Sequence, residues 1–239
     1  MKFAVVVAAT SRREHLARCL AALDHQTVSG DLYLVDNSGG PLFTTCQSLA
    51  PKMAKWETEV IVLAARWARV GVAYNIGLLT AMADGMDYII KLDDDVLLPP
   101  GAIEAMISHP GVFAIPPDGA GYMASEIRGS VLETPVGNFP KLYGACFGML
   151  RGVVSHLGFF NERWNRGIDL EWGMRAYLAD YSVAYHPEIN AMHLGDVPSE
   201  GGIKLKYMQP PIPHDVLPAI HQWTIWENSS LWEVGTIKV

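Results

Sequence analysis

In the first 110 residues, apolar strand-like runs alternate four times with helix-like segments, and this alternation constrains the fold more than any other feature of the chain. Phe3 to Ala9 is a continuous, β-branched-rich run, as expected of a strand buried on both faces of a parallel sheet. Thr10 and Ser11 offer an N-cap, and Arg12 to Gln26 follows with Leu16, Leu20 and Leu23 at helical spacing. Leu32 to Val35 reads as a second strand, stopped by the turn signal Asp36-Asn37-Ser38-Gly39-Gly40. Val60 to Ala64 reads as a third strand, Val72 to Ala83 as a helix, and Tyr88 to Leu92 as a fourth strand ending at three aspartates. Pro99 opens a further helix running to about His109. Such a pattern predicts a three-layer α/β/α sandwich around a mostly parallel sheet. Ligands of such sheets bind at the carboxyl ends of the strands. Three of those ends carry polar clusters, Thr10-Ser11-Arg12, Asp36-Asn37-Ser38 and Asp93-Asp94-Asp95, which line one rim if the strands are neighbours.

Beyond this region the pattern loosens. Residues 117–140 are rich in Gly and Pro and read as loops with short strands. Tyr143 to Leu150 reads as a strand, Asp169 to Ala179 as a helix, and Val183 to Tyr185 and Ala191 to His193 as short strands. From Asp196 onward come Gly201-Gly202, several prolines, and Trp223, Trp226 and Trp232. The expected organisation is one domain over 1–195, with a regularly alternating half over about 1–110 and a less regular half over about 111–195. A Pro/Trp-rich extension, 196–239, follows as a lid or packing segment. Its tryptophans fit packing on the core better than stacking on a sugar or on a second copy of the chain.

The bulk numbers bound the class. Half of the 239 residues are hydrophobic, enough for a sizeable core. The net charge of -7 disfavours nucleic acid as a partner without excluding it. Cys19, Cys46 and Cys146 are odd in number and form no CxxC pair, so free buried thiols are expected rather than a zinc site or disulfides. The opening apolar run is shorter than a signal-peptide core, and no stretch approaches 18 uninterrupted apolar residues. A cytoplasmic protein without an integral membrane segment is the expectation.

Three places carry chemistry. Asp93, Asp94 and Asp95 repel one another at a strand end, and a divalent cation would relieve that repulsion. Oxygen ligands favour Mg²⁺ or Mn²⁺ over zinc, and a solvated acidic turn is the competing reading. Asp169 and Glu171 open a helix, where negative charge is stabilised, so they serve either as simple capping acids or as a general base. His193 reads as a core or turn residue unless its strand lies beside Asp95, in which case it would complete a metal site.

The order of these motifs resembles a family-2-type glycosyltransferase with the GT-A, Rossmann-like fold. The opening Val5-Val6-Val7-Ala8-Ala9-Thr10-Ser11-Arg12 resembles the first strand and nucleotide-binding turn of that family. Leu34-Val35-Asp36-Asn37-Ser38 resembles its second strand end, and Arg69 to Gly77 its Gly-rich helix start. Leu92-Asp93-Asp94-Asp95 resembles its DxD motif, and Phe160-Asn161-Glu162 through Gly167 to Arg175 its acidic helix.

The resemblance implies a UDP-sugar-dependent, metal-dependent, hexosyltransferase-like enzyme of inverting stereochemistry. Thr10 and Asp36 would hold the base, with Arg12 nearby, and Arg69 and Asn75 would belong to the donor-binding set. Asp93 and Asp94 would contact the ribose or the metal's waters. Asp95 would bind the metal, with Asp93 and His193 as further ligands, and Asp169 would be the base. Two departures qualify this. Ile168 stands where the family carries Glu, so the base could slide to Glu171. Tyr74 stands where a basic residue is common, so the diphosphate would lean on Arg69 or on a lysine elsewhere. Lys204 and Lys206 read as surface lysines or as a closing segment. The acceptor is left open among a glycan, a protein, a lipid-linked sugar and a modified nucleobase, as is a homo-oligomer. A nucleotidyltransferase and a non-catalytic sugar-nucleotide-binding module are the competing functions.

Overall fold

The computed structural model describes residues 1–9, 13–37, 41–63, 70–109, 111–114, 117–118, 131–134, 137–140, 142, 144–163, 167–181, 183–185, 189, 191–194 and 234–238. The first strand, β1 (Phe3–Ala9), is buried along its whole length. It pairs in parallel with β2 (Asp31–Asp36) on one side and β4 (Tyr88–Asp93) on the other. β2 pairs in parallel with β3 (Glu57–Leu63). A central, parallel quartet in the order β3-β2-β1-β4 therefore anchors the sheet.

On the β4 side the sheet continues through β10 (Cys146–Leu150), antiparallel to β4, then β6 (Val112–Ala114) and β11 (Val183–Tyr185). On the β3 side it ends with β13 (Val234–Lys238), an antiparallel strand contributed by the C-terminal extension. A smaller sheet orders β5 (Val96–Leu97), β12 (Ala191–His193) and β7 (Pro117–Asp118), and β8 (Val131–Thr134) pairs with β9 (Gly137–Pro140).

The period-2 alternation of β1 sorts its side chains between two cores. Phe3, Val5, Val7 and Ala9 pack with Leu16, Cys19, Leu20 and Leu23 of helix α1 (Arg13–Asp24) and with Cys46 of α2 (Pro41–Leu49). Ile103 and Met106 of α4 (Ala102–Ser108) join the same side. Ala4, Val6 and Ala8 pack instead with Ala73, Tyr74, Ile76 and Leu78 of α3 (Val70–Ala83), Val153 and Val154 of α5 (Arg151–Leu157) and Trp172 of α6 (Ile168–Leu178). These are the expected three layers, with helices on both faces of one mostly parallel sheet.

Helix α3 is apolar on nearly every side, because it lies buried between the sheet and the segment 160–162. Gly77 makes its close approach possible. A Cβ there would come 2.3 Å from Val6 Cγ1 and 3.1 Å from Val35 Cγ2. Helix α4 starts at Ala102 rather than at Pro99. Its first turn is held by Gln26, which accepts from the Ile103 amide (3.2 Å) and donates to the Pro99 carbonyl (2.9 Å). All three cysteines are buried free thiols, as expected, and burial pushes each above the ordinary thiol range. Among the described residues no helix is long and apolar enough to cross a membrane.

Candidate active site at the carboxyl rim

Sheet register fixes which residues share the rim. Ala9 lies opposite Asp36 and Ala8 opposite Asp93, so the ends of β2 and β4 flank the end of β1 at nearly one level. This is where the strand order changes direction, the place at which open α/β sheets leave a crevice. Asp36 is buried here, and the chain beyond it is fastened to β1 by the Asn37 amide donating to the Ala9 carbonyl (2.9 Å).

Asp94 and Asp95 do not point into open water. They are 2% and 4% exposed, which removes the solvated-turn reading. After them β5 pairs with β12, placing His193 opposite Val96, and the Leu194 amide donates to the Asp95 carbonyl (2.8 Å). The His193 ring is thereby brought to Asp95, with Nε2 3.3 Å from Oδ1. Asp93, Asp95 and His193 each offer one ligand atom, and these atoms lie within 4.8 Å of one another. Two carboxylates and an imidazole form a donor set that fits a hard or borderline divalent cation.

The interior side of the triplet is held by groups the motif reading left without a role. Lys91 lies two residues before Asp93 on β4 and is only 3% exposed. Its ammonium donates to Asp93 Oδ1 and to the Gly144 carbonyl, and it stands 4.6 Å from the Tyr74 ring centroid. The Tyr74 hydroxyl donates to the same Asp93 oxygen (2.7 Å), with the Leu92 carbonyl also within reach of its proton (3.0 Å). Burial, and then the charge of Asp93, push the Tyr74 phenol up, so it remains a donor at neutral pH. Tyr74, at the position where a basic residue was expected, thus works on Asp93 from within α3.

The two candidate bases separate cleanly. Both Glu171 oxygens are taken by Arg175, at 2.6 Å from Nε and 2.9 Å from Nη2. Arg175 also donates to the carbonyls of Leu157 and Phe159, so this pair fastens α6 to the segment after α5. Asp169, two residues earlier, lies against Gly144: a Cβ on Gly144 would come 2.8 Å from Asp169 Cγ. Its carboxylate accepts the Gly144 amide and its own. Burial raises the Asp169 pKa, the Lys91 charge opposes that rise, and Asp93 adds to it. Asp169 is therefore the acid whose electrostatics are tied to the triplet.

Asn75 is engaged inside the chain. Its amide donates to the Phe160 carbonyl (2.9 Å) and Glu162 Oε1 (2.8 Å) and accepts from the Phe160 amide (2.8 Å). It clamps α3 to the loop before α6. Thr10, Arg12 and Arg69, together with Lys204, Lys206 and the tryptophans at 223, 226 and 232, lie outside the described residues.

No family model matches the chain, and no curated protein does. Solved structures do. The crystal structure of S. aureus TarS superposes with a TM-score of 0.63 at 15% identity over 80% of this chain and 36% of that one. TarS 1-349 gives 0.65 at 18% identity over 80% and 59%. The same fragment in complex with UDP-GlcNAc gives 0.65 at 17% identity over 80% and 57%. The chain thus spans between about a third and three fifths of the length of these structures. At such identities the likeness is one of fold, and the fold is the GT-A-type α/β sandwich expected from the motif order.

Proposed function

We propose that the chain is a family-2-type glycosyltransferase that moves a sugar from a nucleoside-diphosphate sugar, with uridine as the base, to an acceptor hydroxyl. The observation that carries this reading is the meeting of Asp93, Asp95 and His193 beside the β1–β4 crevice of a GT-A-type sheet. A fold neighbour crystallised with UDP-GlcNAc supports the choice of donor class.

Asp95, Asp93 and His193 would hold Mn²⁺ or Mg²⁺. When bound, that ion would neutralise the charge on the departing diphosphate as a Lewis acid. Asp36, with Thr10 and Arg12, would position the base at the rim, and Asp94 and Arg69 would complete the donor contacts. Asp169 is assigned as the base. Its carboxylate, raised by burial yet held near Lys91, takes the proton of the acceptor hydroxyl as the new glycosidic bond forms. Attack from the face opposite the leaving group gives inversion. Glu171 is assigned to structure, because its charge is already matched by Arg175.

A thermal-shift screen of UDP-sugars with and without Mn²⁺, run on the wild type and Asp95→Ala, tests this reading. At ligand concentrations of about 100 Kd the native state gains about 2.7 kcal/mol, a shift of several degrees. The shift should require Mn²⁺ and should vanish in Asp95→Ala. Turnover should then release the nucleoside diphosphate. Release of pyrophosphate would instead mark a nucleotidyl transfer, and an Mn²⁺-dependent shift without any turnover would mark a binding module.

A further inference from the structure

We propose that Lys91 is a resident counter-ion of the acidic rim. In the metal-free protein it neutralises Asp93, and through Gly144 it ties the candidate metal centre to the candidate base. The metal half of this inference rests on the function proposed above, whereas the counter-ion half does not.

The argument starts from cost. An ammonium on the interior of a central strand loses its hydration, and it is tolerated only where charge and hydrogen bonds replace the water. Lys91 has both: the Asp93 carboxylate, the Gly144 carbonyl, and the faces of Tyr74 and Phe147 at 4.6 and 6.0 Å. Asp94 and Asp95, both buried, add negative charge close by. Three consecutive carboxylates concentrate negative charge at this strand end, and Lys91 supplies a cation beside it as part of the fold.

Two consequences follow from the atoms used. Lys91 and Tyr74 both occupy Oδ1 of Asp93, so Oδ2 is the oxygen left for a ligand. Gly144 gives its carbonyl to Lys91 and its amide to Asp169, so this one residue links the candidate ligand Asp93, through Lys91, to the candidate base. A metal ion and the Lys91 ammonium answer the same negative charge. They are therefore anti-coupled: removing one raises what the other contributes.

The test compares wild type, Lys91→Met and the double variant Lys91→Met/Asp93→Asn by thermal unfolding, in EDTA and in Mn²⁺ without nucleotide. Lys91→Met should lose about 5–10 °C in EDTA, and Mn²⁺ should restore more to it than it adds to the wild type. The double variant should recover a large part of the EDTA loss, because the orphaned carboxylate is gone. An equal loss for Lys91→Met with and without Mn²⁺, in a protein whose wild type binds Mn²⁺, would overturn the anti-coupling.

Should Lys91→Met not fold, a folded double variant still supports the counter-ion, and an unfolded double variant refutes it in favour of stem packing. If the wild type shows no Mn²⁺ response, the proposed function fails at the metal. Recovery in the double variant then decides the counter-ion by itself.

Discussion

Two acids lie two residues apart on α6, Glu171 buried and Asp169 half-buried, and desolvation raises the pKa of both. Their partners tell them apart. Glu171 is chelated by Arg175, whereas Asp169 accepts from the Gly144 amide within the field of Lys91. Asp169→Asn should therefore keep Mn²⁺-dependent donor binding and lose turnover by 10²-fold or more, on the order of what a positioned base contributes. Glu171→Gln should keep both donor binding and turnover while folded, and lose stability instead. It leaves Arg175 buried without its charge partner, at about 3 kcal/mol, and calorimetry should show a Tm lower by roughly 6–12 °C. The pH profile gives a second handle on the same residue. A carboxyl whose pKa is raised stays protonated to higher pH, and only the ionised form accepts a proton. Rates of donor turnover should fall as pH drops through a value above the ordinary aspartate pKa of about 3.9. An acid limb unchanged in Asp169→Glu and Glu171→Gln alike would place the base elsewhere. The Glu171–Arg175 pairing was present in the sequence as an i,i+4 spacing, a signal sufficient to assign it to structure.

At the scale of elements, β1 to β4 were legible because apolar runs bounded by turn residues are a local signal. His193 was legible only conditionally, since its value depended on β12 pairing with β5, a contact about a hundred residues apart in sequence that no local pattern encodes. Lys91 was the reverse case. A lysine inside an apolar strand reads as a side chain turned to solvent, and its burial becomes visible only when Phe147 of β10 and Tyr74 of α3 close over it. Helix α2 was missed although Pro41 opens it just after Gly39-Gly40, the position at which proline is pre-organised for a first helical turn. Helix packing gives the prediction that belongs here. Gly77→Ala would force a methyl to 2.3 Å from Val6 Cγ1 in the middle of the α3–β1 contact. The helix must lift from the sheet, at about 1–3 kcal/mol, and Tyr74 lifts with it. Unfolding should occur at lower denaturant with the slope unchanged, and Mn²⁺ affinity should fall along with stability. An unchanged midpoint would mean that the two elements are not packed as described.

The molecule as a whole is a mostly parallel sheet whose β3 side would end in a row of unpaired backbone groups were it not for β13. Composition marked the C-terminal extension only as a Pro/Trp-rich lid or packing segment, because a five-residue strand far along the chain carries no sign of which edge it joins. Its ladder runs from Val234 opposite Leu63 to Lys238 opposite Glu59, so β13 covers most of β3. A parallel sheet with a bare edge is a template for another chain. Deleting residues from 234 onward removes those backbone bonds without touching the β1–β4 crevice, which lies on the far side of β2 and β3. The shortened chain should melt several degrees lower and self-associate with rising concentration, as read by light scattering. It should still bind Mn²⁺ and a UDP-sugar while folded, because edge and rim are separate demands on the same sheet. A truncated chain that stays monomeric at its original Tm would show that β3 needs no cover. One that stays monomeric but loses donor binding would move the extension from the edge of the fold to its working rim.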